Sequence, residues 1–315
     1  MRINKKMKVW WGYFRENTYF CTYFFKKKRM STFLGTITWN VSPVAISIGS
    51  LQVRWYGILL AIGFVLAYVT LQKIWKKENI SQKLLDRFAI WTIIWCVVGL
   101  RLCHCLVYGT DYYLTAAHWH EILLPVDENW HFIGYQGLAS HGGAIAMLLW
   151  TIYFCYKRKM NFFWLLDRMC IAIPIAAAFV RCGNLMNHEI VGTITTMPWA
   201  FDFTEGGPGV AGTFRHPAQL YEAMVYLTLF IGLVIYYFKF SKGNIAPGRT
   251  SGIMVTTIFV ARFFIEFVKA DQEAKEAEMV LNLGQQLSIP LILLGVGLIV
   301  YSIIKKDKIP HYIEK

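Results

Sequence analysis

Seven predominantly apolar stretches divide the chain. They begin near Trp55, Phe88, Ala139, Trp164, Pro217, Gly252 and Gln285, and end near Leu71, Tyr108, Tyr156, Gly183, Phe238, Val268 and Ile304. A helix needs about 20 mostly apolar residues to cross the hydrocarbon core of a bilayer, and each stretch approaches that length. No alternation of period two competes with them. The pattern predicts an all-α, polytopic integral membrane protein of seven transmembrane helices, with no internal repeats and no low-complexity segments.

The connections between these stretches alternate in charge. Lys73, Lys76, Lys77, Lys83 and Arg87 follow the first, whereas Asp111, Glu121, Asp127 and Glu128 follow the second. Lys157, Arg158, Lys159 and Arg168 follow the third; Glu189, Asp202, Glu205 and finally Arg215 follow the fourth. Lys239, Lys242 and Arg249 come after the fifth, a mostly acidic stretch from Lys269 to Glu278 after the sixth, and Lys305, Lys306 and Lys308 after the seventh. Basic connections stay in the cytoplasm. The seven spans therefore predict an N-terminus outside, a C-terminus in the cytoplasm, and outer loops at about 109–138 and 185–215. Residues 1–29, with the run Lys26-Lys27-Lys28-Arg29, contradict this orientation and have no signal-peptide core. Met30 follows directly, so residues 1–29 are expected to be a mis-assigned or disordered extension upstream of the true start, the alternative being a real cationic arm. Residues 30–304 form the membrane domain and 305–315 a basic cytoplasmic tail.

Composition agrees: 56% of the residues are hydrophobic and 16% are charged, against about 25% charged in soluble domains. The net charge of +13 lies in the loops, and no nucleic-acid-binding signature accompanies it. Of the seven cysteines, all but Cys21 fall in or beside apolar stretches, which argues against a disulfide framework.

Ionisable residues inside membrane helices are costly and commonly functional. Arg101, Arg181, Arg262 and Glu266 lie within the second, fourth and sixth stretches, and His141 opens the third. In the predicted orientation all of them lie toward the outer ends. Several arginines with few acids suit an anionic ligand, because a guanidinium matches phosphate oxygens two at a time. Bland readings stand beside this one: Arg262 and Glu266 at i,i+4 form a structural pair, and Arg101 snorkels to the interface. Cys103-His104-Cys105 does not make a metal site on a regular helix, where successive side chains point about 100° apart.

Three segments carry more than composition. Gly137-Leu138-Ala139-Ser140-His141-Gly142-Gly143 puts two glycines behind a histidine at the start of a span. Arg181-Cys182-Gly183-Asn184-Leu185-Met186-Asn187-His188-Glu189-Ile190-Val191-Gly192 puts an arginine and two amides where a helix gives way to an outer loop. Arg215-His216-Pro217-Ala218-Gln219-Leu220-Tyr221-Glu222 opens the fifth helix with Pro217 in a favourable place.

Together these segments resemble the prolipoprotein diacylglyceryl transferase family, from about Ser50 to Ile304. Tyr56 is similar to the family's first-helix tyrosine, and Gly99-x-Arg101 to its second-helix element. His141-Gly142-Gly143 is similar to its His-Gly-Gly signature. Arg181, Gly183, Asn184, Asn187, Glu189 and Gly192 follow its main signature. His216, Pro217, Gln219, Leu220, Tyr221 and Glu222 follow its fifth-helix motif, Arg262-x-x-x-Glu266-Phe267 the sixth, and Gly284-Gln285 with Ser288 the seventh. Val180, Leu185 and Ile258 depart from the common Gly, Phe and Tyr, and Lys269-Ala270-Asp271 departs from an Arg-x-Pro-Asp pattern.

The resemblance implies transfer of the diacylglyceryl group of phosphatidylglycerol to the lipobox cysteine thiol of a prolipoprotein signal peptide. Glycerol 1-phosphate leaves, and no cofactor or metal is needed. It also implies a multi-pass bacterial inner-membrane protein with its site toward the periplasmic face. His141, Arg181, Arg262 and Glu266 are the candidate catalytic residues: the arginines meet the phosphate, Glu266 orients Arg262, and His141 either takes the thiol proton or positions the headgroup. Tyr56, Arg101, Gly142, Gly143, Arg181, Asn184, Asn187, Glu189, Gly192, Gln219, Tyr221 and Glu222 are the candidate phosphatidylglycerol-binding residues. The competing reading from a different class is a transporter or lipid flippase with an anion site. Such a protein places its polar groups at the midplane, usually between related halves.

Overall fold

The computed structural model describes residues 36–49, 51–115, 118–122, 124, 139–270 and 279–305. The expected N-terminal extension, Asp127, Glu128, Gly137, Asp271 and most of the basic tail lie outside the described residues.

The chain is mostly helical. The principal helices are α1 (Trp55–Lys77), α2 (Gln82–Cys103), α3 (Ser140–Arg158), α4 (Phe162–Met186), α5 (Ala218–Ile235), α6 (Arg249–Ile265) and α7 (Leu283–Ile304). A π-helical turn, His104–Tyr108, extends α2, and another, Tyr236–Phe240, extends α5. Among the described residues, six helices are long and apolar enough to cross a membrane: Trp55–Lys77, Gln82–Val107, Phe162–Met186, Ala218–Phe240, Arg249–Val268 and Leu283–Ile304. The 19-residue α3 is not one of them, since Ser140 and His141 at one end and Lys157 and Arg158 at the other dilute its apolar stretch.

Short strands join the helices, a feature that hydrophobic periodicity does not register in segments of two to five residues. Strands β2 (Val44–Ile48) and β3 (Leu51–Arg54) form an antiparallel hairpin that runs directly into α1. Strand β1 (Ile37–Trp39) pairs in parallel with β4 (Phe201–Phe203), which pairs antiparallel with β5 (Phe214–Arg215). The small sheet seats its apolar side chains, Phe201 and Phe203, with Leu185 and Val191 at the end of α4.

Helix α4 is the centre of the bundle. In its most apolar stretch 61% of residues are buried, against 11–22% in the other five long apolar helices. It packs on α1, α5 and α6, and more lightly on α3; α2 pairs with α3, and α6 with α7. Gly99 and Gly142 let α2 and α3 touch backbone to backbone, because a Cβ on either would run into the other's carbonyl.

The principal apolar core lies around the first half of α4, with Trp75, Phe88, Phe154, Trp164 and Tyr237. A buried ion pair sits in it. Arg168 of α4 donates from Nε to Glu78 Oε1 at 3.0 Å and from Nη2 to Glu78 Oε2 at 3.1 Å, and both side chains are under 4% exposed. The Trp164 indole donates to the same carboxylate at 2.9 Å, and the Tyr237 hydroxyl at 2.5 Å. Next to it, the Asp167 carboxylate accepts from the backbone N–H of Gly248 at 2.7 Å and of Ser251 at 2.9 Å, capping α6. In the sequence Arg168 reads as part of a basic connection, and nothing is assigned to Glu78, at the C-terminus of α1. Here they tie α1, α4 and α5 together at one end.

Removing one member of such a pair leaves an uncompensated buried charge, at a cost of about 3–5 kcal/mol. Glu78→Ala and Arg168→Ala are each expected to lower the unfolding temperature in detergent sharply. An Arg158→Ala change on the exposed basic turn should leave it unmoved, and thermal melts of the three variants compare them directly.

Candidate functional site

The second half of α4 ends in the main polar motif, and its cluster begins with Arg181. The guanidinium Nε of Arg181 is paired with Oε2 of Glu222 on α5, a carboxylate that is 1% exposed. Nη1 of Arg181 donates to Asn184 Oδ1 at 3.2 Å. Asn184 in turn donates to Glu189 Oε2 at 3.3 Å, and Asn187 donates to Glu189 Oε1 at 3.3 Å. Two side-chain amides therefore grip the Glu189 carboxylate, and the fully buried Gln219 on α5 donates to its backbone carbonyl.

The turn that brings Glu189 back over the end of α4 is strained. His188 and Ile190, on either side of it, have φ of +54° and +59°. For a β-branched residue such a backbone costs on the order of 1–3 kcal/mol. The turn is held by His188 Nε2 against the carbonyl of Val41 at 2.8 Å and by the Trp39 indole, which donates to the carbonyl of Leu185 at 3.2 Å. Here the N-terminal strands serve the site, because they pin the loop that carries Glu189.

Helix α1 contributes Tyr56 in its first turn. Its ring lies against Gly183, where a Cβ would fall 2.7 Å from Cδ2 of the ring, and it is within electrostatic reach of both Arg181 and Glu189. Helix α6 contributes Arg262, whose Nε lies 3.5 Å from Glu266 Oε1. Glu266 is 8% exposed and also receives Lys269 Nζ at 2.9 Å and Asn282 Nδ2 at 3.1 Å. Asn282 caps α7, accepting from the backbone N–H of Gln285 at 2.8 Å.

Tyr226 of α5 joins the two arginine groups. It is 5% exposed and lies within electrostatic reach of Arg181, Arg262 and Glu222.

Gly192 sits at a seam. Its N–H donates to the carbonyl of His216 at 2.8 Å, and it bridges to Lys269. A Cβ there would meet the Val268 carbonyl at 2.6 Å, so only glycine lets the loop after α4 lie this close to the end of α6. Tyr221 is turned toward that loop. Its hydroxyl receives the Trp199 indole N–H at 2.8 Å and lies 3.0 Å from His216 Nδ1.

The remaining expected residues stand on α2 and α3. Arg101 is 6% exposed and directed at the segment after α2: Nη2 donates to the carbonyl of Glu121 at 2.5 Å and Nε to that of Ile122 at 3.4 Å, with the guanidinium 4.7 Å from the Tyr113 ring centroid. It holds that segment down and is not part of the Arg181 network described above. Gly142 and Gly143 pack against α2, beside Cys103 and Leu100. His141 is exposed at the start of α3.

Sequence reasoning missed Tyr226, Asn282 and the pairing of Lys269 with Glu266. Tyr226 follows Glu222 by one helical turn, so spacing on the α5 face could have found it. Asn282 precedes a helix with glutamine three residues on, the pattern of a capping box.

Burial pushes the His216 imidazole below its usual range. The protonated ring is therefore disfavoured in the fold, and the associated stability is present above about pH 6.5 and lost as pH falls through the lower folded value. Protonation also removes the Nδ1 acceptor facing the Tyr221 hydroxyl. Between pH 7 and 5 the wild type is expected to lose more thermal stability than His216→Gln; parallel melting curves for the two would expose any failure of this.

The chain was compared with known proteins. A family described as prolipoprotein diacylglyceryl transferase matches residues 43–301. A phosphatidylglycerol–prolipoprotein diacylglyceryl transferase of Bacteroides fragilis is 39% identical over 271 residues, 85% of this chain and 95% of the relative. The like-named protein of Tolumonas auensis is 39% identical over 271 residues, 86% of this chain and 99% of the relative. That of Porphyromonas gingivalis is 34% identical over 287 residues, covering 85% and 95%.

Proposed function

The chain belongs to the prolipoprotein diacylglyceryl transferase family, and on that basis we propose how its outer cluster does the family's work. The protein is a transferase: it moves the diacylglyceryl group of phosphatidylglycerol to a prolipoprotein and releases glycerol 1-phosphate, the first step of lipoprotein lipidation. The acceptor is the thiol of the lipobox cysteine in the signal peptide. The shared transferase name of the relatives leaves the transporter reading without support.

One observation carries the assignment of the site: Arg181 on α4 and Arg262 on α6 are each paired with a buried glutamate, Glu222 and Glu266, and both lie within electrostatic reach of Tyr226 on α5. Two guanidinium groups at one place in a layer poor in water suit a phosphodiester, which bears one negative charge and offers oxygens for paired N–H contacts. In the reaction the thiolate sulfur attacks the terminal glyceryl carbon of the lipid. An S–C bond forms, the C–O bond to phosphate breaks, and glycerol 1-phosphate carries away the electron pair. The thiol proton goes to a base, and only the thiolate is a competent nucleophile. Arg181 and Arg262 stabilise the charge that grows on the departing phosphate. Glu222 and Glu266 hold them in place, as Asn184 and Asn187 hold Glu189 near the headgroup. His141, at the start of α3, is either the base or a headgroup contact.

The protein crosses the inner membrane seven times, with α3 as the seventh span. The Glu78–Arg168 end faces the cytoplasm, where Lys76, Lys77, Lys157, Arg158 and Lys159 gather, and the Arg181 end faces the periplasm. Supporting this are the six long apolar helices and the basic connections at one end. A cysteine placed at Glu205 is expected to react with an impermeant thiol reagent in intact cells, and one at Lys159 only after lysis. The reverse pattern would overturn the orientation.

Arg181→Ala and Arg262→Ala, given labelled phosphatidylglycerol and a lipobox peptide, are each expected to lower transfer by a factor of about 100–1,000, as for loss of one donor to a developing oxyanion. Near-normal rates in both folded variants would remove the phosphate assignment.

A further inference from the structure

We infer that Lys269 is a positioning residue for the transfer step: its ammonium occupies the Glu266 carboxylate, so that Arg262 keeps its charge and its N–H groups for the phosphate. The inference rests on the phosphatidylglycerol reading above and deepens it by giving Lys269 a task.

The distances rank the partners of Glu266. Lys269 Nζ donates to Oε1 at 2.9 Å, and Asn282 Nδ2 donates to Oε2 at 3.1 Å. Arg262 Nε lies 3.5 Å from Oε1, beyond the roughly 2.7–2.9 Å of a good charge-assisted contact. The start of α7 also presses on the carboxylate, because a Cβ on Gly284 would fall 2.6 Å from Oε1. Glu266 is thus fixed by groups other than Arg262. Exposure follows the same order: the Lys269 side chain is 5% exposed and that of Arg262 27%. The lysine is committed to an internal partner, and the arginine keeps an open side.

The backbone puts Lys269 there. Thr193 N–H donates to the Val268 carbonyl at 2.9 Å, and Ala270 N–H donates to the Val191 carbonyl at 3.1 Å. Residues 191–193 therefore hold the chain on both sides of Lys269, just past the end of α6. A lysine is rarely buried without a partner, and Glu266, three residues earlier, is that partner.

The charge balance gives the consequence. Among the site residues, Glu189, Glu222 and Glu266 are opposed by Arg181, Arg262 and Lys269. Without the lysine, two cations face three carboxylates, and Glu266 has Arg262 alone to answer it. An approaching phosphodiester would then meet net negative charge. Lysine at 269 removes that competition.

The test uses full-length protein in phosphatidylglycerol vesicles with a lipobox peptide. Lys269→Met is expected to lower kcat about ten- to a hundredfold, the rate equivalent of a hydrogen bond to a charged group, with KM for the peptide unchanged. Lys269→Arg should retain most of the rate. Lys269→Met combined with Glu266→Gln removes both charges yet leaves an oxygen to accept from Arg262, and it should transfer faster than Lys269→Met alone. A lysine that merely braces the seam, or one that itself touches the phosphate, gives no such recovery. An unchanged kcat in Lys269→Met, a loss confined to KM, or a double variant no faster than the single one overturns the inference. If Lys269→Met melts earlier than the wild type, the same comparison of single and double variants, made below both melting temperatures, decides. A wild type that transfers no lipid would sink the function reading instead, so the two failures are distinguishable.

Discussion

A guanidinium buried in a helix bundle needs a carboxylate within reach, and this requirement organises the protein around α4. That helix carries an arginine near each end, Arg168 and Arg181, separated by roughly 20 Å along the axis. Each has an acidic partner on a neighbouring helix, Glu78 at the end of α1 and Glu222 on α5. The two pairs differ in what surrounds them. Glu78 is satisfied on every side by Arg168, Trp164 and Tyr237, and the result is a closed structural knot. Glu222 has Arg181 alone as its ion-pair partner among the described residues. Arg181 also donates to Asn184, whose amide leads on to Glu189. One end of α4 is locked, and the other continues through side-chain amides to Glu189.

The Arg181 end gets its shape from elements far apart in the chain. Trp39 and Val41 brace the turn that carries Glu189, Gly192 presses the same loop to the end of α6, and Asn282 at the start of α7 completes the surroundings of Glu266. The strain at His188 and Ile190 is sustained by these contacts, as unfavourable backbone conformations at functional sites generally are. A loop with this much anchoring holds Glu189 in one place, which suits recognition of a headgroup better than a loop free to sample many positions.

Much of this was legible in the sequence, because apolar runs of spanning length and charges confined to their ends are first-order consequences of a lipid environment. The grouping of Arg181 with Asn184 was legible too, since residues three apart on a helix share a face, whereas Glu189 joins them only through the strained turn at His188 and Ile190. Other features depend on distant partners. Arg101 reads as a ligand-binding cation, and only the fold shows that its guanidinium donates to the carbonyls of Glu121 and Ile122. Arg168 reads as part of a basic connection and Glu78 carries no expectation, and only the crossing of α1 with α4 makes them a buried pair. The small strands carry too few residues for alternation to register, and Tyr226 belongs to the apolar stripe of α5 until α4 and α6 are placed on either side.

The Glu78–Arg168 knot also bears on how the protein is made. Its two members lie 90 residues apart in the sequence. At a synthesis rate of about 5–20 residues per second, Glu78 emerges roughly 5–18 s before Arg168. Over that interval its carboxylate has water or lipid headgroups for company, and α1 has not yet acquired the contact that fixes its depth. Arrival of α4 closes the pair and settles both helices together, so early assembly of the bundle is tied to a particular moment in translation.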